Sequence, residues 1–268
     1  MGQIQFRNKI KKHVLAWLMV IPVHAHAGNA VLLPFTPPSQ EVVDWQADTQ
    51  PGQTWVTGEI WVQADGTIYG SARTITQGAA AQRMERFMQE VQAEGAPNAA
   101  IQLLRRQNME GSATLSPASP LDEGRMAMDV SFAITTRLEK DGSLRVPIQP
   151  GPRLAYMPQA RYVQALRDRV IPAGLCQTEH YEQKLLVHLP SGSVLEPAYL
   201  PDSVVSVPHA RFRAQYSREG DHLTITRILS IEGGAQPCTT EAVLDMAPAI
   251  RAAAREFGRT VLVRPSLP

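Results

Sequence analysis

Residues 209–231 read HARFRAQYSREGDHLTITRILSI, and this stretch decides the fold class. Apolar and polar side chains alternate up to Tyr216. This pattern predicts a strand with one buried face, because successive side chains leave opposite faces of a sheet. Gly220 lies in the turn that follows, where a positive φ favours glycine. Apolar residues alternate again from Leu223 to Ile231. The stretch therefore predicts a hairpin of an antiparallel sheet.

One residue interrupts this alternation. Arg227 lies between Ile225 and Leu229, where the pattern places an apolar side chain. Either a β-bulge or an edge position turns the arginine outward, or the arginine is buried and paired. Because an unpaired buried charge is strongly disfavoured, the bulge or edge position is the preferred expectation.

The same period of two recurs on both sides of this hairpin. Asp65 and Gly66 form a strong hairpin signal between two further strands. Residues 126–134 alternate without interruption, which predicts the most regular strand of the chain. A turn at Asp141 is then expected to bring residues 144–148 back against that strand.

Helical spacing appears in only a few places. Met84 to Val91 carry apolar residues at the helical period, and Asn98 is expected to cap a short second helix. Near the end, Thr239 or Thr240 is expected to cap a helix that Pro248 kinks or divides. The sequence therefore predicts a mainly β fold of antiparallel β-sandwich modules with a few short helices.

Composition shifts divide the chain into segments. Residues 28–53 are rich in Pro, Gln and Asp and predict an extended lead-in. A β-rich module with a helical insert is expected over 54–150, and a second β-sandwich-like module with a C-terminal helix over 151–268. The boundary is the Pro- and Gly-rich stretch at 149–152, although a crossing between sheets of one body is the alternative.

The first 27 residues have the pattern of a secretory signal peptide. Four basic residues precede an apolar run at 14–23, which is too short to span a bilayer. Ala25 and Ala27 are the small residues that precede a cleavage site, so the mature chain is expected to begin at Gly28. An uncleaved anchor is the alternative. We expect a periplasmic protein with no membrane span after cleavage.

The mature chain is mildly acidic. The signal peptide carries four of the 26 basic residues and no acidic residue, which leaves 22 basic against 25 acidic residues, a net charge of −3. This balance gives no global attraction to nucleic acid, so no nucleic-acid partner is expected. The expected partner is an envelope or periplasmic protein that recognises a local surface.

Cys176 and Cys238 are the two cysteines of the chain. In an oxidising compartment an isolated pair predicts a disulfide. Closing a loop of about 60 residues would stabilise the fold by about 4 kcal/mol. Two free thiols are the alternative, in which case Cys176, close to His180, is a candidate nucleophile.

No motif identifies an enzyme. The sequence lacks a phosphate-binding loop, a nucleophile elbow and metal-ligand spacing among the histidines, so we expect no catalytic residue, metal or cofactor. Two binding or catalytic alternatives are kept. Asp202 and Glu196 are candidate carboxylates of a hydrolase of envelope polymers. Surface aromatic residues are candidates for carbohydrate binding, namely Trp55, Trp61 and Tyr69.

The order of short motifs resembles the β-rich domains that follow the catalytic core in exported bacterial transglutaminase-like proteins. The matching motifs are DGT at 65–67 with Gly70, GAAAQR at 78–83, LPSG at 189–192, LP at 200–201 and the hairpin at 216–227. The Cys, His and Asp core of that family has no counterpart in this chain. The resemblance therefore implies a β-sandwich body without acyl-transfer machinery, acting as a non-catalytic binding or scaffold protein and a companion of a transglutaminase-like protein.

Overall fold

A computed structural model describes residues 51–116, 119–121, 124–136, 138–149, 158–168, 175–233 and 239–265. The predicted signal peptide and nearly all of the lead-in lie outside the described residues, so both stay predictions. Among the described residues, none of the helices combines the length and the apolar character that crossing a membrane requires.

The described chain alternates strands with four helices. The strands are β1 (Gly52–Val62), β2 (Thr67–Gln77), β3 (Glu110–Leu115), β4 (Ser119–Pro120), β5 (Arg125–Thr135), β6 (Leu144–Pro147), β7 (Glu179–His188), β8 (Val194–Glu196), β9 (Ser203–Val207), β10 (Ala210–Glu219), β11 (His222–Ile231) and β12 (Thr260–Arg264). The helices are α1 (Ala79–Glu94), α2 (Ala96–Arg105), α3 (Pro158–Asp168) and α4 (Thr240–Phe257).

Nine strands form one large sheet, in the order β3-β5-β2-β1-β7-β11-β10-β9, with β4 paired to β5. Neighbouring strands are antiparallel except at the centre, where β1 and β7 run parallel. The predicted hairpin is the β10–β11 pair, in a continuous register from Ala210 opposite Ile231 to Glu219 opposite His222. The predicted class, a mainly β fold with antiparallel strands and a few short helices, is confirmed.

The two predicted modules share this sheet. Strands β1, β2, β3, β4 and β5 come from the predicted module 54–150, whereas β7, β9, β10 and β11 come from 151–268. The β1–β7 pair joins them over residues 52–61. The predicted boundary therefore separates two halves of one sheet, and β1 begins two residues before the expected start of the first module.

The small sheet consists of β6, β12 and β8. The expectation that residues 144–148 return against the strand at 126–134 is wrong, because β6 pairs with β12 instead. The reason lies in the large sheet, where both edges of β5 are already paired, one with β2 and the other with β3 and β4. The small sheet packs its apolar residues on the large sheet and gives the fold its sandwich-like layering.

Two apolar clusters fill one side of the large sheet. The first lies among the central strands, α1, α2 and the small sheet, and the second among the central strands, α3 and α4. Strand β7 contributes to both clusters, because Leu185 belongs to the first cluster and Tyr181 to the second. Helices and small sheet therefore cover the same face of the large sheet, because Tyr181 and Leu185 share one strand parity.

The predicted N-cap is found in α4 but not in α2. Thr239 caps α4 as expected, since its hydroxyl accepts a hydrogen bond of 3.2 Å from the amide of Ala242. The helix continues through Pro248, so it is not divided. The expected cap at Asn98 is wrong, because Gly95 is the N-cap of α2.

Arg227 is fully buried, so the bulge or edge expectation is wrong. Its Nη1 donates to the carbonyl oxygen of Ile148 at 2.9 Å and to Oε1 of Gln183 at 2.7 Å. Its guanidinium carbon lies 5.5 Å from the ring centre of Phe257, a cation–π distance. These contacts replace only part of the hydration of the charge, because the buried Nε and Nη2 make no hydrogen bond within the described residues. Burial raises the pKa of the Tyr181 hydroxyl, and the nearby guanidinium partly offsets this rise.

Candidate functional site

One face of the large sheet is left without a layer of helices among the described residues. On β1, β2, β5, β7 and β11, side chains of one parity enter the apolar clusters, while those of the opposite parity are mostly half-buried or exposed. We call this second set the open face.

Four rings form a row across the open face, on β2, β1, β7 and β11. Strand register brings them to one level: Trp61 is opposite Tyr69 and His188, and His188 is opposite His222. The rings of Trp61 and Tyr69 stack with centres 5.4 Å apart, and those of Trp61 and His188 with centres 4.9 Å apart. His188 and His222 meet edge to face at 4.9 Å. We call these four residues the aromatic row. Both faces of Trp61 are covered within it.

A groove of about 710 Å³ lies beside the aromatic row. Most of its lining residues are polar, small hydroxyl side chains are the commonest among them, and Ala72, Val130 and Leu186 add apolar surface. We call it the polar groove; its lining includes Thr57, Glu59, Ser71, Arg73, Thr114, Ser116, Asp129 and Ser131. Hydroxyl, carboxylate and guanidinium groups together offer both donors and acceptors of hydrogen bonds.

The charges of the polar groove are paired. Glu59 Oε1 lies 2.8 Å from Nε2 of His188, which connects the groove to the aromatic row. Arg73 Nε lies 3.8 Å from Oδ1 of Asp129, with the two side chains 50% and 57% exposed. An exposed ion pair of this kind contributes only about 0–1 kcal/mol to stability, so a ligand can displace it at little cost. The groove therefore offers polar groups with no excess of positive charge, and Glu59 is neutralised only when His188 is protonated.

A glycine allows β2 to approach its neighbours at this site. A Cβ atom on Gly70 would lie 2.5 Å from the backbone oxygen of Glu59 and 2.9 Å from Cζ of Phe132. Only glycine fits at that distance, which explains why it interrupts a strand that otherwise alternates. Gly70 has the core-facing parity of β2, between Tyr69 and Ser71 of the open face.

The most deeply buried ion pairs lie elsewhere and have a structural role. Glu179 on β7 is 2% exposed, and its Oε1 lies 2.9 Å from Nη2 of Arg83 on α1 and 3.2 Å from Nη1 of Arg161 on α3. Burial raises the pKa of the Glu179 carboxyl, and the two arginines oppose that rise. These three side chains connect α1 and α3 to the centre of the sheet. The raised pKa of Glu179 is therefore a consequence of its packed structural position.

Three predicted carbohydrate-contacting residues lie on the open face. Trp61 and Tyr69 belong to the aromatic row. Trp55 lies six residues before Trp61 on β1, about 20 Å along the strand, and is opposite Ile75 of β2. The polar groove lies between these two levels, since its lining residues Thr57 and Glu59 come between Trp55 and Trp61.

The two candidate carboxylates of a hydrolase have structural partners. Glu196 lies on β8 in the small sheet, and its Oε1 is 2.9 Å from Nη2 of Arg264. Asp202 precedes β9 of the large sheet, and its Oδ1 accepts a hydrogen bond of 3.2 Å from the amide of Tyr216. An ion pair therefore accounts for Glu196, and a hydrogen bond to the backbone of β10 accounts for Asp202.

The cysteine prediction is only partly visible. Cys176 is 7% exposed and is not a free thiol, whereas Cys238 lies outside the described residues, so their pairing stays a prediction. Nδ1 of His180 lies 3.2 Å from the hydroxyl of Ser230 on the neighbouring strand. Burial and bonding of Cys176 disfavour a nucleophile at this position.

Sequence reasoning missed the two histidines of the aromatic row. In the sequence, His188 shows only that it alternates with the apolar residues Val187 and Leu189, which indicates a polar strand position and no partner. The sequence did indicate the Trp61–Tyr69 pair, because a turn centred on Asp65 places these two residues opposite each other. His188 joins them only through the parallel β1–β7 pair, which no local pattern indicates.

Within the part of the chain that the structure covers, no group of three or more His, Cys, Asp or Glu side chains is placed to hold a metal ion. No protein family matches the chain, and no curated protein matches it. A solved two-domain M1 zinc metallopeptidase bound to L-arginine is similar over 66% of this chain and 41% of that chain, with 8% identity and a TM-score of 0.20.

Proposed function

We propose that this protein is an exported, non-catalytic binding or scaffold protein of the cell envelope, and that the open face is its binding surface. The observation that carries the proposal is the open face itself, where an aromatic row borders a polar groove on the side of the sheet away from the helices. Apolar surface rimmed by polar groups is typical of interaction sites. Export is inferred from the pattern of residues 1–27.

Binding is favoured over catalysis by the partners of the ionisable groups. The strongly buried carboxylate, Glu179, fastens two helices to the sheet. Asp202 and Glu196 are engaged by a backbone amide and by an arginine. The resemblance to the β-rich domains of transglutaminase-like proteins supports a scaffold role, in which this protein accompanies a catalytic protein in the periplasm.

Association with isolated cell envelopes tests the proposal. Ser71→Arg places a long charged side chain in the polar groove, and Leu244→Arg places the same side chain on α4, where Leu244 is 56% exposed. We expect the wild-type protein and Leu244→Arg to sediment with envelopes, and Ser71→Arg to remain in the supernatant. Thermal unfolding of each variant checks that the fold is intact. Equal sedimentation of both arginine variants would show that the open face is not the binding surface.

A further inference from the structure

Among the described residues, one ring face of Tyr69 has no stacked aromatic partner. Its other face stacks on Trp61, with planes 8° apart. In the opposite direction its neighbour on β5 is Ala133, and the next on β3 is Ser112, both too small to cover a phenol ring. Tyr69 is 41% exposed. The free ring face of Tyr69 therefore borders a gap above Ala133.

Hydroxyl groups lie directly beside that gap. Ser71, Ser131 and Thr114 are opposite one another on β2, β5 and β3, and all three line the polar groove. They are two residues from the level of Tyr69, about 7 Å along the strands. A molecule stacked on Tyr69 would thus have hydrogen-bonding groups within reach on one side.

The charge balance narrows the class of ligand. Its lining has two carboxylates, Glu59 and Asp129, against the single arginine Arg73, and the groove therefore has no surplus of positive charge. A polyanion would meet more repelling than attracting charges, and a surplus of one carboxylate is too small to select a polycation. The chemistry suits a neutral molecule that has apolar faces and many hydroxyl groups.

We propose that the open face binds a neutral glycan chain, with one sugar ring stacked on the free face of Tyr69 and the adjoining sugars in the polar groove. The C–H face of a pyranose carries slight positive charge and packs on the negative face of an aromatic ring. Its hydroxyls exchange hydrogen bonds with the serines, threonines and charged groups of the groove. The groove volume of about 710 Å³ is that of a small-ligand site, which suits a short oligosaccharide segment. This inference rests on the proposed function and names its ligand class.

Calorimetric titration of the purified protein with four probes tests the inference: chitotetraose, cellotetraose, maltotetraose and, as a charged control, a short heparin fragment. We expect at least one neutral glycan to bind. Tyr69→Ala should weaken that binding about tenfold or more, which corresponds to 1.4 kcal/mol. Tyr69→Phe should stay within about twofold, because the ring face remains. Tyr199→Ala is the matched control, since Tyr199 is 72% exposed and lies outside the open face.

Three outcomes would overturn the inference: no binding of any neutral glycan at millimolar concentration, binding of heparin alone, or equal affinity of Tyr69→Ala and the wild-type protein. The envelope assay separates this failure from failure of the proposed function. If Ser71→Arg abolishes sedimentation with envelopes while every glycan fails, the open face binds a protein. Protease treatment of the envelopes would then also abolish sedimentation, whereas glycan binding survives it.

Discussion

Substitution of Arg83 by methionine tests the central ion-pair group. Arg83 is 8% exposed and lies 2.9 Å from a carboxylate that is 2% exposed, so solvent screens neither partner. Removing one member of a buried pair costs about 3–5 kcal/mol, because a charge is left uncompensated. In Arg83→Met, Arg161 remains 3.2 Å from the same oxygen of Glu179. We therefore expect the free energy of unfolding to fall by about 3 kcal/mol, the lower end of that range. Arg161→Met should cost less, since Arg161 is 22% exposed and lies farther from the carboxylate.

The pH dependence gives this prediction its sharpest check. Burial raises the folded-state pKa of Glu179 above its ordinary value of 4.5. Protonated Glu179 therefore contributes fully to the free energy of unfolding below pH 4.5. This contribution is lost as pH rises through the folded-state pKa. Loss of Arg83 raises that pKa further. The cost of Arg83→Met should therefore be largest where Glu179 is ionised, and it should shrink as pH falls through the folded-state pKa values of the variant and the wild type, which both lie above 4.5.

Urea denaturation of the wild-type protein and the two variants, at about pH 7 and about pH 4, measures these differences. A cost of Arg83→Met under about 1 kcal/mol at neutral pH would refute the reasoning, since that is the range of an exposed pair. A cost that is the same at both pH values would refute it as well, because the carboxylate charge would then play no part.

Further predictions concern the strands, the cysteines and processing. Gly70→Ala should lower the free energy of unfolding by about 1–3 kcal/mol through overpacking, whereas Ser71→Ala should stay within about 0.5 kcal/mol; chemical denaturation compares them. Replacing Cys176 and Cys238 together by serine should cost about 2–5 kcal/mol, and full alkylation of both thiols in denatured, unreduced protein would contradict the disulfide. N-terminal sequencing of periplasmic protein should begin at Gly28; an intact first residue would rule out cleavage.

Local patterns predicted the antiparallel parts of the fold. The alternation at 209–231 predicted β10 and β11 with their connection, and the signal at Asp65 predicted the turn between β1 and β2. Both rest on neighbours in sequence, where strand period and turn chemistry are sufficient. Pairing of residues 144–148 was predicted wrongly because the choice of partner depended on which edges of β5 were still unpaired.

The candidate site was predictable only in part. Trp55, Trp61 and Tyr69 were recognised as candidates because large aromatic residues on the polar parity of a strand are conspicuous. The position of His188 in the aromatic row could not be predicted, because it depends on the β1–β7 pairing, which joins distant parts of the chain. The burial of Arg227 was missed for a similar reason, because the carbonyl of Ile148 and the side chain of Gln183 come from other elements.

The parallel β1–β7 pair has a consequence for how the molecule can be divided. Each half of the large sheet, taken alone, would expose the inner edge of β1 or β7, with backbone amides and carbonyls unpaired along residues 52–61 or 179–188. Long bare edges of this kind recruit other chains and aggregate. Each half therefore covers the bare edge of the other, and β1 must pair with β7 before the newly made chain is protected from self-association.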